Sequence, residues 1–257
     1  MASLNGVGLA VRQPLLLCGM LALGLSTAHA ASCVVLVHGL LGQPWNFYGL
    51  AKQLRQAGHQ VVIPQYRSRR LTVAQAAEVL PPAVAQCDRK NGNSVDFVGH
   101  SLGGLLIRHY LMTHGSTGVG RVVLLGTPNH GTPLAQPQHQ HWAYERWIAR
   151  RLGPVIAELR TGTQGVAESL GAAPVPVGIV AGYLSPTPWL TKRFAEPNDG
   201  LVGVNSAALE GAQDWVWMPV THLTLTVNTA VQRQVMWFLH TGRFFHANAA
   251  PATSRVD

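Results

Sequence analysis

The chain has 257 residues, enough to bury one large core. With 47% hydrophobic and 12% charged residues it is too apolar for a disordered protein, and no linker, low-complexity run or repeat divides it. The formal charge is +8, but the basic residues are scattered, only Arg67–Arg70 clusters, and no nucleic-acid-binding motif appears, so nucleic acid is excluded as the expected partner.

Arg12 precedes an apolar run from Leu15 to Leu25, and Ala28-His29-Ala30 follows as a small-residue cleavage site. Residues 1–30 therefore read as a secretory signal peptide cleaved after Ala30, and a secreted or periplasmic location is expected. The run is short for a membrane span; an uncleaved N-terminal anchor is the alternative. Cys18 leaves with the signal, so two cysteines remain, Cys33 and Cys87.

Cys33–Val37 is a continuous apolar run, the pattern of a strand covered on both faces. The loop after it, His38-Gly39-Leu40-Leu41-Gly42, carries glycines that let the backbone fold close to a site. The Leu40 N–H is the expected donor to an oxyanion. His38 is read as a brace for that loop rather than a catalytic group. Phe47–Ala57 predicts a helix and Gln60–Pro64 a strand ended by proline. Thr72–Cys87 predicts an Ala-rich helix that Pro81-Pro82 must kink or break. The two cysteines then fall at the same, amino edge of a parallel sheet. In an oxidising compartment they form a plausible disulfide, with two separate buried thiols as the alternative.

Ser94–Val98 is a strand that runs into Gly99-His100-Ser101-Leu102-Gly103-Gly104, and a helical pattern follows to Leu111. Strand, Gly-x-Ser-x-Gly turn and helix form the nucleophile elbow of a serine hydrolase. The turn must lift the Ser101 hydroxyl above the sheet. Gly99 and Gly103 flank it because side chains there would collide with the neighbouring strand or helix. The Leu102 N–H opens the helix toward a developing oxyanion.

Arg121–Gly126 is a further strand, and residues 128–174 form a long insertion. Within it Tyr144, Ile148 and Leu152 share one helical face, with Trp147 beside it. A lipid-touching lid and an ordinary packed amphipathic helix both fit that pattern. Val175–Ala181 and Trp215–Pro219 are strands, Thr224–His240 is a closing helix, and residues 247–257 form an expected disordered tail. Strands alternating with helices imply an α/β fold with a mostly parallel sheet and helices on both faces. Ligands in such sheets bind at the carboxyl ends of the strands.

A serine nucleophile needs a histidine base and an acid to orient it, in the chain order Ser, acid, His. Of the twelve histidines, His222 follows the Trp215–Pro219 strand at the carboxyl end. His240 and His246 lie at the wrong end, and His139 and His141 lie in the insertion. Asp199 occupies the loop beyond Val175–Ala181. Glu196 is a weaker competitor, and Asp214 opens a strand at the opposite edge.

Val37-His38-Gly39-Leu40, the elbow, Gly126-Thr127-Pro128-Asn129-His130-Gly131-Thr132, and Asn198-Asp199-Gly200-Leu201-Val202 with Ser206 follow one another in order. On these segments the chain resembles the α/β-hydrolase superfamily, and within it bacterial triacylglycerol lipases and esterases. The resemblance implies one hydrolase domain over residues 31–246. It also implies a Ser101/His222/Asp199 triad, with Leu40 and Leu102 as oxyanion donors. The implied activity is hydrolysis of lipid or small carboxylic esters through an acyl-enzyme, with no cofactor. Related lipases carry a calcium-binding aspartate two residues after the histidine. Here that residue is Thr224, so no metal is expected. Acyl transfer or thioester hydrolysis on the same triad, and a non-catalytic hydrolase-like binding module, remain the other classes. Contact with a membrane surface is a further possibility the charge leaves open.

Overall fold

The computed structural model describes residues 33–88, 94–136, 150–186 and 191–246. The predicted signal peptide, the tail, His139, His141, Tyr144, Trp147 and Ile148 lie outside the described residues.

Six strands form one sheet: β1 (Cys33–Val37), β2 (Gln60–Val62), β3 (Val95–His100), β4 (Val119–Leu125), β5 (Val177–Gly182) and β6 (Asp214–Met218). Their order is β2-β1-β3-β4-β5-β6 and every pairing is parallel. The chain steps outward from β1 to β2, then returns past β1 to β3. Loops leaving β1 and β3 therefore diverge, and a crevice opens between them at the carboxyl edge.

The longer helices are α1 (Tyr48–Gln56), α2 (Val73–Ala77), α3 (Leu80–Ala85), α4 (Leu102–His114) and α5 (Thr229–Thr241). Alternation along β1 divides the core into two layers. Val34 and Leu36 pack with Leu50 and Leu54 of α1 and with Val235 and Phe238 of α5. Cys33, Val35 and Val37 pack with Leu80 of α3 and Leu105 and Ile107 of α4. Both faces are covered, as the apolar run predicts.

Pro81 and Pro82 break the expected Thr72–Cys87 helix in two and occupy the first turn of α3, where no N–H is needed. The closing helix begins at Thr229 rather than Thr224. Residues His222–Thr224 form a 3-10 turn locked by reciprocal bonds between Thr221 and Thr224, and Asn228 then caps α5 by accepting from the Ala230 and Val231 N–H groups. The Thr224 side chain is committed to that turn.

Cys33 opens β1, Cys87 ends the segment after α3, and a disulfide joins them across 5.6 Å between Cα atoms. It closes a loop with a sequence separation of 54 at the amino edge of the sheet.

The described flanks of the 128–174 insertion are tied to the body. The Arg108 guanidinium on α4 donates to the Asn129 backbone and side-chain oxygens and to the Ala167 and Gly171 carbonyls. The Thr132 N–H donates to the Leu159 carbonyl at 2.8 Å, and Glu158 accepts from the Val73 N–H. Of the expected Tyr144/Ile148/Leu152 face only Leu152 is described, and it is partly buried. Among the described residues no helix is long and apolar enough to cross a membrane.

Candidate active site

Ser101 sits between β3 and α4 with φ 54° and ψ −124°, a conformation that side-chain-bearing residues rarely adopt. Its N–H is held by the Leu125 carbonyl at 2.9 Å. The turn is tight on both sides. A Cβ at Gly99 would lie 2.7 Å from the Gly104 backbone, and one at Gly103 would collide with the Val37 carbonyl. Glycine is required at both because backbone, which cannot swing away, occupies the space.

The structure brings His222 and Asp199 together. His222 follows β6 and is 5% exposed; Asp199, beyond β5, is 1% exposed. The His222 Nδ1–H donates to Asp199 Oδ2 at 2.7 Å, and the His222 N–H to the Asp199 carbonyl at 2.9 Å. The carboxylate accepts this hydrogen bond while the proton stays on Nδ1, so the tautomer leaves Nε2 free to accept. The other carboxylate oxygen, Oδ1, accepts from the Leu201 and Val202 N–H groups at 2.9 and 2.8 Å. Four donors thus hold Asp199 and its loop in one orientation. Glu196 instead accepts from the Asn205 N–H. Asp214 pairs with His246 and the Phe244 N–H at the amino edge, so neither competitor reaches His222.

The loop after β1 closes on the same point. Gly39 packs directly on Ser101, where a Cβ would fall 2.9 Å from the Ser101 Cβ. Gly39–Gly42 is a tight turn closed by the Gly42 N–H on the Gly39 carbonyl at 3.0 Å, with Leu41 at φ 61°. Among the described residues nothing accepts from the Leu40 N–H. The Leu102 N–H is the first of α4 and has no intrahelical partner. Among the described residues, neither of these N–H groups has a hydrogen-bond acceptor.

Four contributing residues escape sequence reasoning. His100 donates from Nε2 to the His222 carbonyl at 3.0 Å, its ring 4.8 Å from the His222 ring. Desolvation, and then the neighbouring His222, hold His100 far below the usual histidine range, at about 3. Tyr66 stacks on His38 with ring centres 4.3 Å apart and donates its hydroxyl to the His38 carbonyl. Ser68 accepts from the Leu41 N–H at 3.0 Å. His38 is the expected brace, but it acts through these contacts; its Nδ1–H reaches only the adjacent Gly39 carbonyl, and burial lowers its pKa. Arg108 is the fourth, lowered to about 10 by burial with Glu168 opposing, and still cationic at neutral pH. Its spacing from Leu105 and Leu111 places it on the buried face of α4, which is the one available signal.

The Gly126–Thr132 segment is structural. Asn129 donates to the Ala207 carbonyl at 2.8 Å, and the Ser206 hydroxyl bonds the Gly131 carbonyl. The acid loop and the strand β4 exit are thereby fastened together.

A family model described as alpha/beta hydrolase fold matches residues 33–150. No curated protein matches the sequence significantly. The lipase BlEst2 of Bacillus licheniformis in its mature form superposes with a TM-score of 0.67 at 21% identity, covering 82% of this chain and 91% of that one. A metagenomic carboxyl esterase gives 0.58 at 19% identity, over 77% of this chain and 66% of that one. The phospholipase PlaB of Legionella pneumophila gives 0.54 at 20% identity, over 69% and 44%. With six parallel strands in this order and a serine on the strand–helix turn, the chain is a protein of the α/β-hydrolase fold, similar to lipases and esterases.

Proposed function

We propose that the chain is a secreted or periplasmic serine hydrolase that cleaves carboxylic esters of lipids. The observation that carries the reading is the buried 2.7 Å His222–Asp199 pair set at the carboxyl edge beside the strained Ser101. In this reading the His222 Nε2 takes the Ser101 proton as Oγ attacks the ester carbonyl. The Leu40 and Leu102 N–H groups donate to the developing oxyanion. Collapse breaks the ester C–O bond, and His222 returns the proton to the departing alcohol. Water, deprotonated by His222, then attacks the acyl carbon; its bond to Ser101 Oγ breaks, and His222 returns the proton to Oγ as the acid leaves. No step calls for a cofactor. The disulfide supports the oxidising location.

A fluorophosphonate probe and a panel of p-nitrophenyl esters of rising acyl length test this. Labelling and hydrolysis should both vanish in Ser101→Ala. Labelling that persists in that variant, or no labelling of the parent chain, rejects the assignment.

A further inference from the structure

Among the described residues, six exposed apolar side chains gather at one end of the molecule. Leu41 and Trp45 follow β1, Leu184 follows β5, Leu201 stands two residues beyond Asp199, and Leu223 and Val227 lie beyond β6. All occupy loops or 3-10 turns at the carboxyl edge of the sheet. Leu41 adjoins Leu40, and Leu223, 75% exposed, adjoins His222. Single exposed apolar residues need no account, but a ring of them about one site does.

Positive charge stands beside the same ring. Arg67, Arg69 and Arg70 are exposed on the loop beyond β2. Ser68, between them, accepts the Leu41 N–H at 3.0 Å, so the arginines flank the Leu41 turn. Among the described residues, Asp199 accepts from His222, Glu196 from the Asn205 N–H and Glu158 from the Val73 N–H, so each of these carboxylates is held away from the arginines by its own donor. Asp96, second in β3, and Asp214, first in β6, lie at the far edge. The face is thus apolar in the middle and cationic along one side.

We infer that this face docks on an anionic phospholipid surface, the apolar ring entering the headgroup layer while Arg67, Arg69 and Arg70 meet lipid phosphates. Apolar burial and attraction to anionic headgroups add in such binding, and each arginine near the surface contributes separately. The inference rests on the ester-hydrolase reading only for its purpose, which is to bring acyl esters to Ser101. The docking itself requires no catalysis.

Sedimentation of the full-chain Ser101→Ala variant with vesicles measures docking without hydrolysis. Vesicles of phosphatidylcholine alone and with added phosphatidylglycerol are compared. Binding should favour the anionic vesicles and fall as salt rises. Arg67→Gln/Arg69→Gln/Arg70→Gln should weaken it on the order of 100-fold. The same triple substitution in the active chain should leave hydrolysis of a water-soluble short ester unchanged. Trp45→Ser with Leu223→Ser should weaken binding even at low salt. Equal binding to neutral and anionic vesicles, or binding that the arginine variant retains, overturns the inference. So does normal short-ester hydrolysis with no vesicle binding, and so does a dimer in sedimentation velocity that buries this face from lipid. Anionic-vesicle binding by a parent chain that cleaves no ester would keep the docking and reject the hydrolase reading.

Discussion

Ser101, the proposed nucleophile, carries a conformational cost. Its φ of 54° lifts the hydroxyl out of the sheet, and a non-glycine residue held there is destabilised by roughly 1–3 kcal/mol. Ser101→Ala and Ser101→Gly should both lose roughly 10³–10⁶-fold in ester turnover. Only Ser101→Gly relaxes the backbone, so it should melt above Ser101→Ala in calorimetry. More than about a tenth of parent activity in either would remove Ser101 from its role. Asp199→Asn should cost less than His222→Ala, because the acid orients the base without reacting. Asp214→Asn, which touches His246 and not His222, should leave turnover intact. Two other histidines set an acid limit. His38 and His100 are held below the ordinary value of 6.5, chiefly by burial. Between that value and their folded values the unfolded chain binds more protons, so stability rises with pH there. The melting temperature should fall as pH drops below 6.5, and His100→Gln should flatten part of that fall. A melting temperature independent of pH between 4 and 6.5 would contradict the buried neutral state.

The turn after β1 is held from outside. Its Leu41 N–H and His38 carbonyl are bound by Ser68 and Tyr66, which lie beyond β2. These are positioning residues, and their effect should appear in kcat. Tyr66→Phe should lower kcat roughly 10-fold with KM little changed, because the donor it places acts on the transition state. A change confined to KM would assign Tyr66 to substrate binding instead. Arg108 ties α4 to the insertion flanks through four oxygen acceptors, and Arg108→Met should cost about 3 kcal/mol by leaving buried carbonyls unpaired. The contrast between these contacts and the elbow marks what a sequence displays. Gly99 and Gly103 answer a local steric demand around Ser101, so the spacing is written in one pentapeptide. The strands are equally legible, since β1 is buried on both faces and reads as unbroken apolar residues. The placement of Asp199 and His222 at the carboxyl edge follows from strand polarity. Tyr66, Ser68 and Arg108 meet partners through side-chain bonds to distant backbone, which have no periodicity to betray them. The false start of α5 at Thr224 has a nearer cause. The caps at Thr221 and Asn228 are visible, but apolar spacing outweighs them when the helix is read by pattern.

At the scale of the whole molecule the two edges of the sheet are built differently. The amino edge holds the Cys33–Cys87 disulfide. In the chain-entropy model a closed loop of this length stabilises by about 4 kcal/mol, before native strain is subtracted. Reduction should therefore lower the melting temperature by roughly 10 °C. The bond lies at the opposite edge from Ser101, so turnover of still-folded protein should hardly change, and a proportional loss of kcat at 25 °C would show the two ends to be coupled. The carboxyl edge is made of turns, several fixed by one or two hydrogen bonds, as at Leu41 and Ser68. Local opening free energies track such differences in anchoring. Native-state hydrogen exchange should consequently grade along each strand rather than between strands. Amides near Cys33 and Val95 should open only with global unfolding, and those of the 39–42 turn through small fluctuations. The protein would then meet heat as a structure that loosens first where it reacts, and its activity would fade before its core lets go.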